Sequence, residues 1–500
     1  MTIDHQRFPA PVYAETVLEP LFQQSVQHFA EATDRINRAH VVMLVETGII
    51  DAATARAILQ ALIDYDRESD LASLHYDGSV EDYYFHVEKD LIARLGIDLA
   101  GRMHTARSRN DMGHAMFRLV LKARLEDLIA DLHATIDAML AKAWDERKTV
   151  FLAYTHGQPA QPTTFGHYLA AFVEVLLRHS ERLWLAHRHL DRSPMGAAAI
   201  TTTGFPIDRG RMAALLGFAD VQENSYGCIA ATDDVAAVYG ALKLLLVDLS
   251  RMAQDLGHWT AFEVGFLKAP RSYVQISSIM PQKRNPVVTE HLRLLSNLAV
   301  GQCDTIVDTM RNTPFMDIND SESETHTVGY QAIDRARRGL NLLTDFAGVI
   351  EIDETNVRRA IADSFATITE MADKLVRSDH LSFRQAHDVA SDLANDSIAQ
   401  GRSLDEVGYD RFVDIFKQRL GRAPSIGAED FHLILSPEHF IAVRDRPGGP
   451  AESSLDVSLK GYQHRLACQR GNLEGAVKRT QDASIGLDEA VRSWLHNKAA

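Results

Sequence analysis

A ten-residue segment near the middle of the chain combines side chains that can bind a carboxylate. It runs from Ser277 to Pro286 and contains two serines, a lysine, an asparagine and two prolines. Serine and asparagine compete with the backbone for hydrogen bonds and proline removes a donor, so the segment is a poor helix and a poor strand. Its hydroxyl, ammonium and amide groups can instead hold an anion. We interpret it as a functional loop, the alternative being an ordinary polar connection between helices.

A second polar segment directly precedes the first long helical pattern of the chain. It extends from Met103 to Asp111 and contains Ser108, Arg109 and Asn110. The free N–H groups and the dipole at a helix N-terminus favour an anion, and an arginine fork adds a paired contact. This segment is therefore a candidate carboxylate site. The alternative is a helix cap beside solvated arginines, which is a common arrangement.

A third polar segment, from Tyr154 to Pro162, also lies just before a long helical pattern and includes Thr155, His156 and Gln161. Histidine is the side chain best suited to proton transfer near neutral pH. A single histidine before a glycine is more often structural than catalytic. The density of polar groups around His156 favours a functional site.

Composition limits the classes of protein to consider. A chain of 500 residues is too long for one compact core, so two or three domains are expected. The 46% hydrophobic content with 24% charged residues is typical of a globular chain with a large core. The net charge of -16 argues against a nucleic-acid surface, and it requires local cations wherever an anion binds.

The sequence carries no pattern of a targeting segment or a prosthetic group. Residues 1–20 have no basic segment followed by an apolar run, and no stretch approaches the roughly 18 apolar residues of a membrane span. The three cysteines, Cys228, Cys303 and Cys468, are far apart, so we expect buried thiols in a reducing compartment, the cytoplasm. No metal-ligand spacing stands out, and neither a metal nor an organic cofactor is expected.

Helical periodicity dominates the chain and predicts an all-α fold. Between Arg107 and Gly348 apolar residues recur every three or four positions, and β-branched alternation is scarce. One stripe consists of Leu121, Leu125, Leu128, Leu132, Ile136 and Met139, and further long helices are predicted at about 163–187, 232–259, 287–309 and 327–349. Five helices of this length predict an elongated bundle with coiled-coil-like packing.

Three domains are predicted along the chain. Residues 1–106 form an N-terminal helical domain, residues 107–350 the central bundle with the polar loop, and residues 351–500 a small C-terminal helical domain with a tail. From about Glu351 turn signals become frequent, so the helices are expected to shorten. Residues 471–500 have alternating charges and are expected to form a helical or frayed tail.

The three polar segments together resemble the fumarase/aspartase superfamily and, more narrowly, its argininosuccinate lyase branch. That branch shows His-Thr-Gly-Arg-Ser-Arg-Asn-Asp, Tyr-Thr-His-x-Gln-x-Ala-Gln-Pro and Ser-Ser-x-Met-Pro-Gln-Lys-x-Asn-Pro, and this chain has matching segments in the same order. The resemblance covers roughly residues 15–465. It implies three all-α domains and a homotetramer in which four five-helix bundles form a twenty-helix core. It also implies that each active site combines the three segments from three different chains.

The resemblance implies a carbon–nitrogen lyase that reversibly releases fumarate from an N-substituted aspartate without a cofactor. Ser277 corresponds to the general base and, because an isolated serine is a weak base, Lys283 is the candidate for stabilising its alkoxide. His156 matches a histidine that pairs with a glutamate, here Glu290. Positions that match substrate-binding residues of the family are Ser108, Arg109, Asn110, Thr155, Gln161, Ser278, Met280, Lys283 and Asn285.

The chain departs from the branch at several positions. Ile276 stands where a glycine precedes the double serine, and Tyr84 stands where the branch has a histidine. Asp317 and Glu322 replace a tyrosine and a glutamine that help to hold the arginine moiety in argininosuccinate lyases. An acidic pair favours a leaving group rich in ammonium. The alternative is that both acids are solvated on a helix face.

The intact fumarate end and the altered amine end predict an aminopolycarboxylate substrate such as ethylenediamine-N,N'-disuccinate, with argininosuccinate as the alternative. Two other classes of protein are less consistent with the sequence. A catalytically inactive scaffold predicts loss of the loop serine or lysine, but Ser277 and Lys283 are both present. A binding module of long helices predicts no such loop, since function belongs to the site and not to the fold.

Overall fold

The computed structural model describes residues 8–496, and helices dominate this part of the chain. The first group of helices is α1 (Pro11–Tyr13), α2 (Glu19–Glu46), α3 (Ala52–Glu68), α4 (Tyr83–Leu95) and α5 (Ile97–Ala100). A π-helical turn at Ala14–Leu18 joins α1 to α2, and 3₁₀ turns lie at Leu71–Ser73 and Gly101–His104.

The middle of the chain contains the longest run of helices. They are α6 (Arg109–Asp145), α7 (Phe165–Leu190), α8 (Arg209–Leu216), α9 (Ser225–Ala230), α10 (Asp233–Trp259), α11 (Val287–Thr309) and α12 (Ser323–Val349). The last group is α13 (Glu354–Asp363), α14 (Ile368–Asp379), α15 (Phe383–Ala399), α16 (Tyr409–Leu420), α17 (Ala428–Ile434), α18 (Pro437–Ala442) and α19 (Glu452–His496). Further 3₁₀ turns are Arg271–Tyr273, Asn319–Ser321 and Leu404–Glu406.

The strands are short and form two-stranded pairs only, within the described residues. They are β1 (Val150–Thr155), β2 (Gln158–Thr164), β3 (Arg192–Ser193), β4 (Asp220–Val221), β5 (Leu267–Lys268), β6 (Gln275–Ile276), β7 (Arg284–Asn285) and β8 (Glu351–Ile352). β1 pairs with β2, β5 with β8 and β6 with β7 in antiparallel fashion, whereas β3 and β4 are parallel. The all-α class predicted from periodicity is confirmed.

The five long helices α6, α7, α10, α11 and α12 pack side by side around the largest hydrophobic core. Every member of the predicted stripe from Leu121 to Met139 is buried in that core. Close approach of α12 to α10 depends on Gly329, where a Cβ atom would lie 2.0 Å from the hydroxyl oxygen of Tyr239. A side chain there would force the two helices apart, since packed cores leave little free volume. The predicted five-helix bundle is therefore confirmed.

The last helix contradicts the expectation that helices shorten after Glu351. α19 is 45 residues long, and it packs along α6, α7 and α8 and against α2 and α3. Leu459 and Leu466 lie in the bundle core, while Leu487 and Val491 lie in the core of the N-terminal helices. The charge alternation concealed this apolar stripe, because only one narrow face of the helix is buried.

Three large core clusters organise the chain. One belongs to the bundle, a second to the N-terminal helices with α8, and a third to residues 365–434. The bounds 1–106, 107–350 and 351–500 stay a prediction, and the first two cores each contain residues from more than one of these ranges. Cys228 and Cys303 are buried free thiols as expected, but Cys468 is exposed. No helix among residues 8–496 is long and apolar enough to cross a membrane.

Candidate functional site

The segment around Ser108 forms the N-terminus of α6, the first long helix of the bundle. Ser108 is the N-cap residue, and its hydroxyl accepts a hydrogen bond from Asn110 N at 3.3 Å. Asp111 completes a capping box because its carboxylate accepts from Ser108 N at 3.0 Å. The cap fixes the orientation of Arg109 and Asn110 at the positive end of the helix dipole, where a carboxylate is favoured.

A loop between α7 and α8 supports this helix terminus. Asp111 is buried, and its second oxygen accepts from the backbone N–H groups of Gly196 and Ala198 at 2.9 and 3.0 Å. Burial raises the pKa of the Asp111 carboxyl. The amide of Asn110 donates to the carbonyl of Ala199 at 3.1 Å. Ala198 has a positive φ of 52°, which the two hydrogen bonds to Asp111 hold in place.

Two acids of the N-terminal region bind Arg109, and the sequence had assigned neither of them a role. The guanidinium donates to Asp82 at 2.8 Å, lies 3.5 Å from Glu81 and stacks over the ring of Phe85 at 4.8 Å. Asp82 also caps α4 by accepting from Phe85 N at 3.0 Å. One carboxylate therefore fixes both the start of α4 and the position of Arg109.

Tyr84, which replaces the histidine of the family motif, belongs to a hydrogen-bonded group beneath the same segment. Its hydroxyl lies 2.6 Å from His104 Nδ1 and 3.2 Å from Glu88 Oε1. Burial raises the pKa of Tyr84 to about 12, so the phenol stays protonated. The buried guanidinium of Arg107 lies over the Tyr84 ring at 5.6 Å. Tyr84 thus joins α4 to the segment before α6 through His104.

Asp317 and Glu322 lie beside the N-terminal part of α6. Asp317 Oδ1 is 3.5 Å from Nε2 of His114, a residue that the sequence reasoning missed. Glu322 is half-buried, and burial followed by the charge of Asp317 raises its pKa. The charges of His114 and Arg109 lower the pKa of Glu322. The two acids are therefore not on a fully solvated helix face.

The segment from Tyr154 to Pro162 lies in a β-hairpin, which the sequence analysis had not predicted. β1 and β2 form its arms, and His156 with Gly157 forms the turn, both at positive φ of 54° and 73°. Thr155, His156 and Gln161 are exposed. Such a tight turn presents the imidazole of His156 at the tip of a rigid ribbon.

The loop that begins at Ser277 is closed by the short pair β6 and β7. Ile276 pairs with Arg284 in extended conformation and does not have a positive φ. The backbone at this position therefore does not require the glycine that the family has here. Ser277 Oγ accepts from the backbone N–H groups of Ile279 and Met280 at 3.3 and 3.0 Å. Hydrogen bonds of this kind stabilise a negatively charged oxygen. The structure records no contact between Lys283 and Ser277 among the described residues.

The remaining predicted site residues of this region face outward. Ser278, Met280 and Lys283 are exposed, Asn285 is half-buried in β7, and Glu290 is exposed in the first turn of α11. The base of the loop is held by Arg284, which donates to the carbonyl of Ala269 at 3.2 Å.

The three segments are not joined within one chain. No hydrogen bond or ion pair between residues 8 and 496 connects the α6 terminus, the hairpin and the loop, and none links His156 to Glu290. Of the predicted site residues that come from different segments, Arg109 and Asp317 both act electrostatically on Glu322. Within the same range, no group of three or more His, Cys, Asp or Glu side chains could hold a metal ion.

Comparison with known proteins gives consistent results over nearly the whole chain. Residues 23–301 match a family described as Lyase, and residues 365–442 match one described as Argininosuccinate lyase C-terminal. The chain is 51% identical to Argininosuccinate lyase 2 of Agrobacterium fabrum, covering 95% of this chain and 94% of the relative. It is 34% identical to Argininosuccinate lyase of Methanothermobacter thermautotrophicus, and the match covers 89% of this chain and 94% of the relative. A crystal structure of EDDS lyase in complex with formate superposes with a TM-score of 0.86 at 29% identity. The superposition covers 97% of this chain and 96% of the EDDS lyase chain.

Proposed function

Because the chain belongs to the argininosuccinate lyase branch of the fumarase/aspartase superfamily and is a fumarate-releasing carbon–nitrogen lyase, we propose that it reversibly cleaves an aminopolycarboxylate such as ethylenediamine-N,N'-disuccinate. The observation that carries this choice is a half-buried acidic pair, Asp317 and Glu322, which lies beside Arg109. A carboxylate pair attracts a cationic amine and disfavours an anionic one. The likeness to EDDS lyase supports the same choice.

Argininosuccinate is the second candidate substrate. The relative at 51% identity is named Argininosuccinate lyase 2, and its coverage leaves little of either chain unmatched. A guanidinium is also a cation, so the acidic pair tolerates it. The two substrates differ in the shape of the amine half, and kinetics with both of them separates the candidates.

Ser277 is the proposed base of the reaction. Its alkoxide takes a proton from Cβ of the aspartate half, and the bond between Cα and the nitrogen breaks. The electron pair of that bond goes to the nitrogen, which is protonated in the substrate and therefore leaves as a neutral amine. Fumarate and an amine result. The N–H groups of Ile279 and Met280 donate to Ser277 Oγ and so favour the alkoxide, while Lys283 supplies a positive charge from the same loop.

The α6 terminus is the proposed holder of the substrate carboxylate. Ser108, Arg109 and Asn110 present a hydroxyl, a guanidinium and an amide at the positive end of α6. Asp82 already occupies one edge of Arg109. The substrate carboxylate therefore binds the remaining N–H groups of Arg109 or displaces Asp82. Thr155, Gln161, Ser278, Met280 and Asn285 complete the proposed substrate-binding set.

We propose a homotetramer because the parts of the site are separated in one chain. His156 and Glu290 are both exposed and share no hydrogen bond or ion pair among residues 8–496, so we expect different subunits to supply them. The bundle offers a surface for this assembly, since Leu244 of α10 and Leu294 and Leu298 of α11 are about half exposed. Apolar exposure of this kind on long helices is typical of a subunit interface.

The cytoplasm is the proposed compartment of the protein, because the free thiols fit a reducing environment.

The experiment compares ethylenediamine-N,N'-disuccinate and argininosuccinate as substrates, with fumarate followed by its ultraviolet absorbance. We expect a higher kcat/KM for the aminopolycarboxylate. Asp317→Asn should lower that value about tenfold to a hundredfold, because it removes a charge-assisted contact. A wide preference of the wild type for argininosuccinate would overturn the choice of substrate. No fumarate from either compound would overturn the proposed function.

A further inference from the structure

A histidine in the first turn of α7 connects the hairpin to the last part of the chain. His167 Nδ1 lies 2.8 Å from the hydroxyl oxygen of Thr163, near the end of β2. Its Nε2 lies 3.0 Å from the carbonyl oxygen of Gly448, which belongs to the α18–α19 loop, residues 443–451. One side chain therefore joins the hairpin, α7 and this loop.

The two contacts determine which ring nitrogen of His167 carries the proton. A carbonyl oxygen can only accept, so Nε2 carries the proton and donates to Gly448. In the neutral ring Nδ1 is then an acceptor, and the hydroxyl of Thr163 donates to it. Both nitrogens are thus satisfied, whereas an apolar side chain of similar size can make neither contact.

The backbone of His167 is fixed by the way α7 begins. His167 N donates to the hydroxyl of Thr164, the N-cap residue, at 3.0 Å. At Gly166 a Cβ atom would lie 2.5 Å from the carbonyl oxygen of Ala143, so the start of α7 lies directly against α6. The ring of His167 therefore projects from a rigid point.

The carbonyl of Gly448 is also held in place. A Cβ atom at Gly449 would lie 2.1 Å from the carbonyl oxygen of Arg444, which shows how tightly the α18–α19 loop is folded. Gly449 N donates to the carbonyl of Arg446 at 2.8 Å. The side chain of Arg444 donates to the buried carboxylate of Glu370 in α14 at 3.0 Å. The loop is thus attached to the C-terminal helices.

The hairpin between these supports is buried at one end and free at the other. Phe151 and Leu152 of β1 are buried in the bundle core, α13 packs on β1 and α18 packs on β2. Thr155 and His156 at the other end are exposed. Because the strands are paired along their length, a shift at the base of the hairpin moves the imidazole at its tip.

We propose that His167 is a positioning residue, which acts through Thr163 and Gly448 to hold the hairpin that presents His156 to the site. This inference rests on the proposed function and adds a residue that does not itself touch the substrate. It assigns the α18–α19 loop a part in catalysis, since the loop supplies the acceptor for His167. A displacement of about 1 Å at a reacting group can cost about a hundredfold in rate.

The first test removes both contacts at once. His167→Leu should lower kcat for fumarate release at least about tenfold, because the hairpin is no longer held in the productive position. KM should change less than about threefold, since the carboxylate is held at the α6 terminus. His189→Leu is the matched control and should keep the wild-type kcat, because His189 is an exposed histidine of the same helix. Wild-type kcat in His167→Leu, or a loss confined to KM, would overturn the proposal.

The second test asks whether the two partners act through one contact. Thr163→Val removes the hydroxyl at nearly the same volume and should lower kcat, and it carries the test where His167→Leu does not fold. Added to His167→Leu, it should cause no further loss, because the contact is already absent. His167→Gln keeps an N–H group near Gly448 and should have a kcat between those of the wild type and His167→Leu. Losses that multiply in the double variant, or equal losses in His167→Gln and His167→Leu, would overturn the proposal.

The third test follows the hairpin without any substrate. Amide hydrogen exchange of residues 150–164 should be faster in His167→Leu and in Thr163→Val than in the wild type, while exchange in α10 stays unchanged. Unchanged exchange in the hairpin, or an equal increase throughout the chain, would overturn the proposal. This measurement needs no activity. Absence of fumarate release by the wild type from either candidate substrate is a failure of the proposed function, and it is therefore distinguishable from a failure of the contact.

Discussion

The interior of the bundle and the three polar segments deal with charge in opposite ways. In the interior, Lys122 donates to Asp191 at 2.9 Å and to the Gly217 carbonyl at 2.8 Å, with both side chains buried. Arg118 pairs with Asp234 at 2.9 Å. These groups find their partners inside one chain, as burial of charge requires.

The polar segments, by contrast, present their chemistry to the surface. His156, Lys283 and Glu290 are exposed, and no hydrogen bond or ion pair between residues 8 and 496 joins the hairpin to the loop. The difference teaches that these interior charges are paired within one chain, whereas the proposed catalytic groups stay separate. In the proposed homotetramer, a complete site then depends on contacts between chains.

The largest expected effect is the loss of activity when the proposed base in the exposed loop is removed. Ser277→Ala should lower kcat about a hundredfold to ten-thousandfold, because a general base acts in the transition state. KM should change much less. Single-turnover release of fumarate measures the step directly, with Ser272→Ala, an exposed serine in the preceding 3₁₀ turn, as a control. Near-normal turnover of Ser277→Ala would transfer the role to Ser278 or His156.

The next effect concerns the paired interior. Lys122→Met leaves Asp191 buried with Arg479 as its remaining cation, and we expect a loss of about 3–5 kcal/mol in the free energy of unfolding. Arg465→Ala, which breaks the pair with exposed Glu181, should cost less than about 1 kcal/mol. Urea unfolding followed by circular dichroism measures both. Equal losses would contradict the distinction between the interior and the surface.

The smallest effect is a pH dependence that belongs to the interior. His133 Nε2 lies 2.8 Å from Ser180 Oγ, and burial lowers the pKa of His133 to about 4. The unfolded chain takes up this proton near pH 6.5, whereas the folded chain does not until about pH 4. Stability therefore falls as the pH drops between these values. His133→Gln should reduce that fall by about 1–3 kcal/mol, and an unchanged pH profile of thermal unfolding would contradict the assignment.

Much of the fold was predictable because periodicity reports burial directly. The stripe from Leu121 to Met139 gave one bundle helix, and Gly and Pro marked the breaks. The helical alternative for residues 471–500 is confirmed as far as His496. The 45-residue length of α19 and its packing were not predicted, because its buried face is narrow and its charges alternate. The hairpin at Tyr154 was missed because two prolines made β2 look like a turn.

The site was predictable only in part. The family resemblance gave Ser108, Arg109 and Ser277 roles that stay predictions, and it could not indicate that Asp82 binds Arg109 or that His114 faces Asp317. Those contacts join residues far apart in sequence, and they depend on how α4 and the segment before α12 pack on α6. A useful signal was the position of His114 one turn after Asn110, on the same face of the helix.

The most direct test of the account mixes two inactive variants, Ser277→Ala and His156→Asn. Denatured together and refolded, they form mixed oligomers in which some sites receive intact residues from different chains. The account predicts that fumarate-releasing activity returns in part, while each variant refolded alone stays inactive. No recovery in a confirmed mixed oligomer would show that Ser277 and His156 of one chain serve the same site, and would contradict the account.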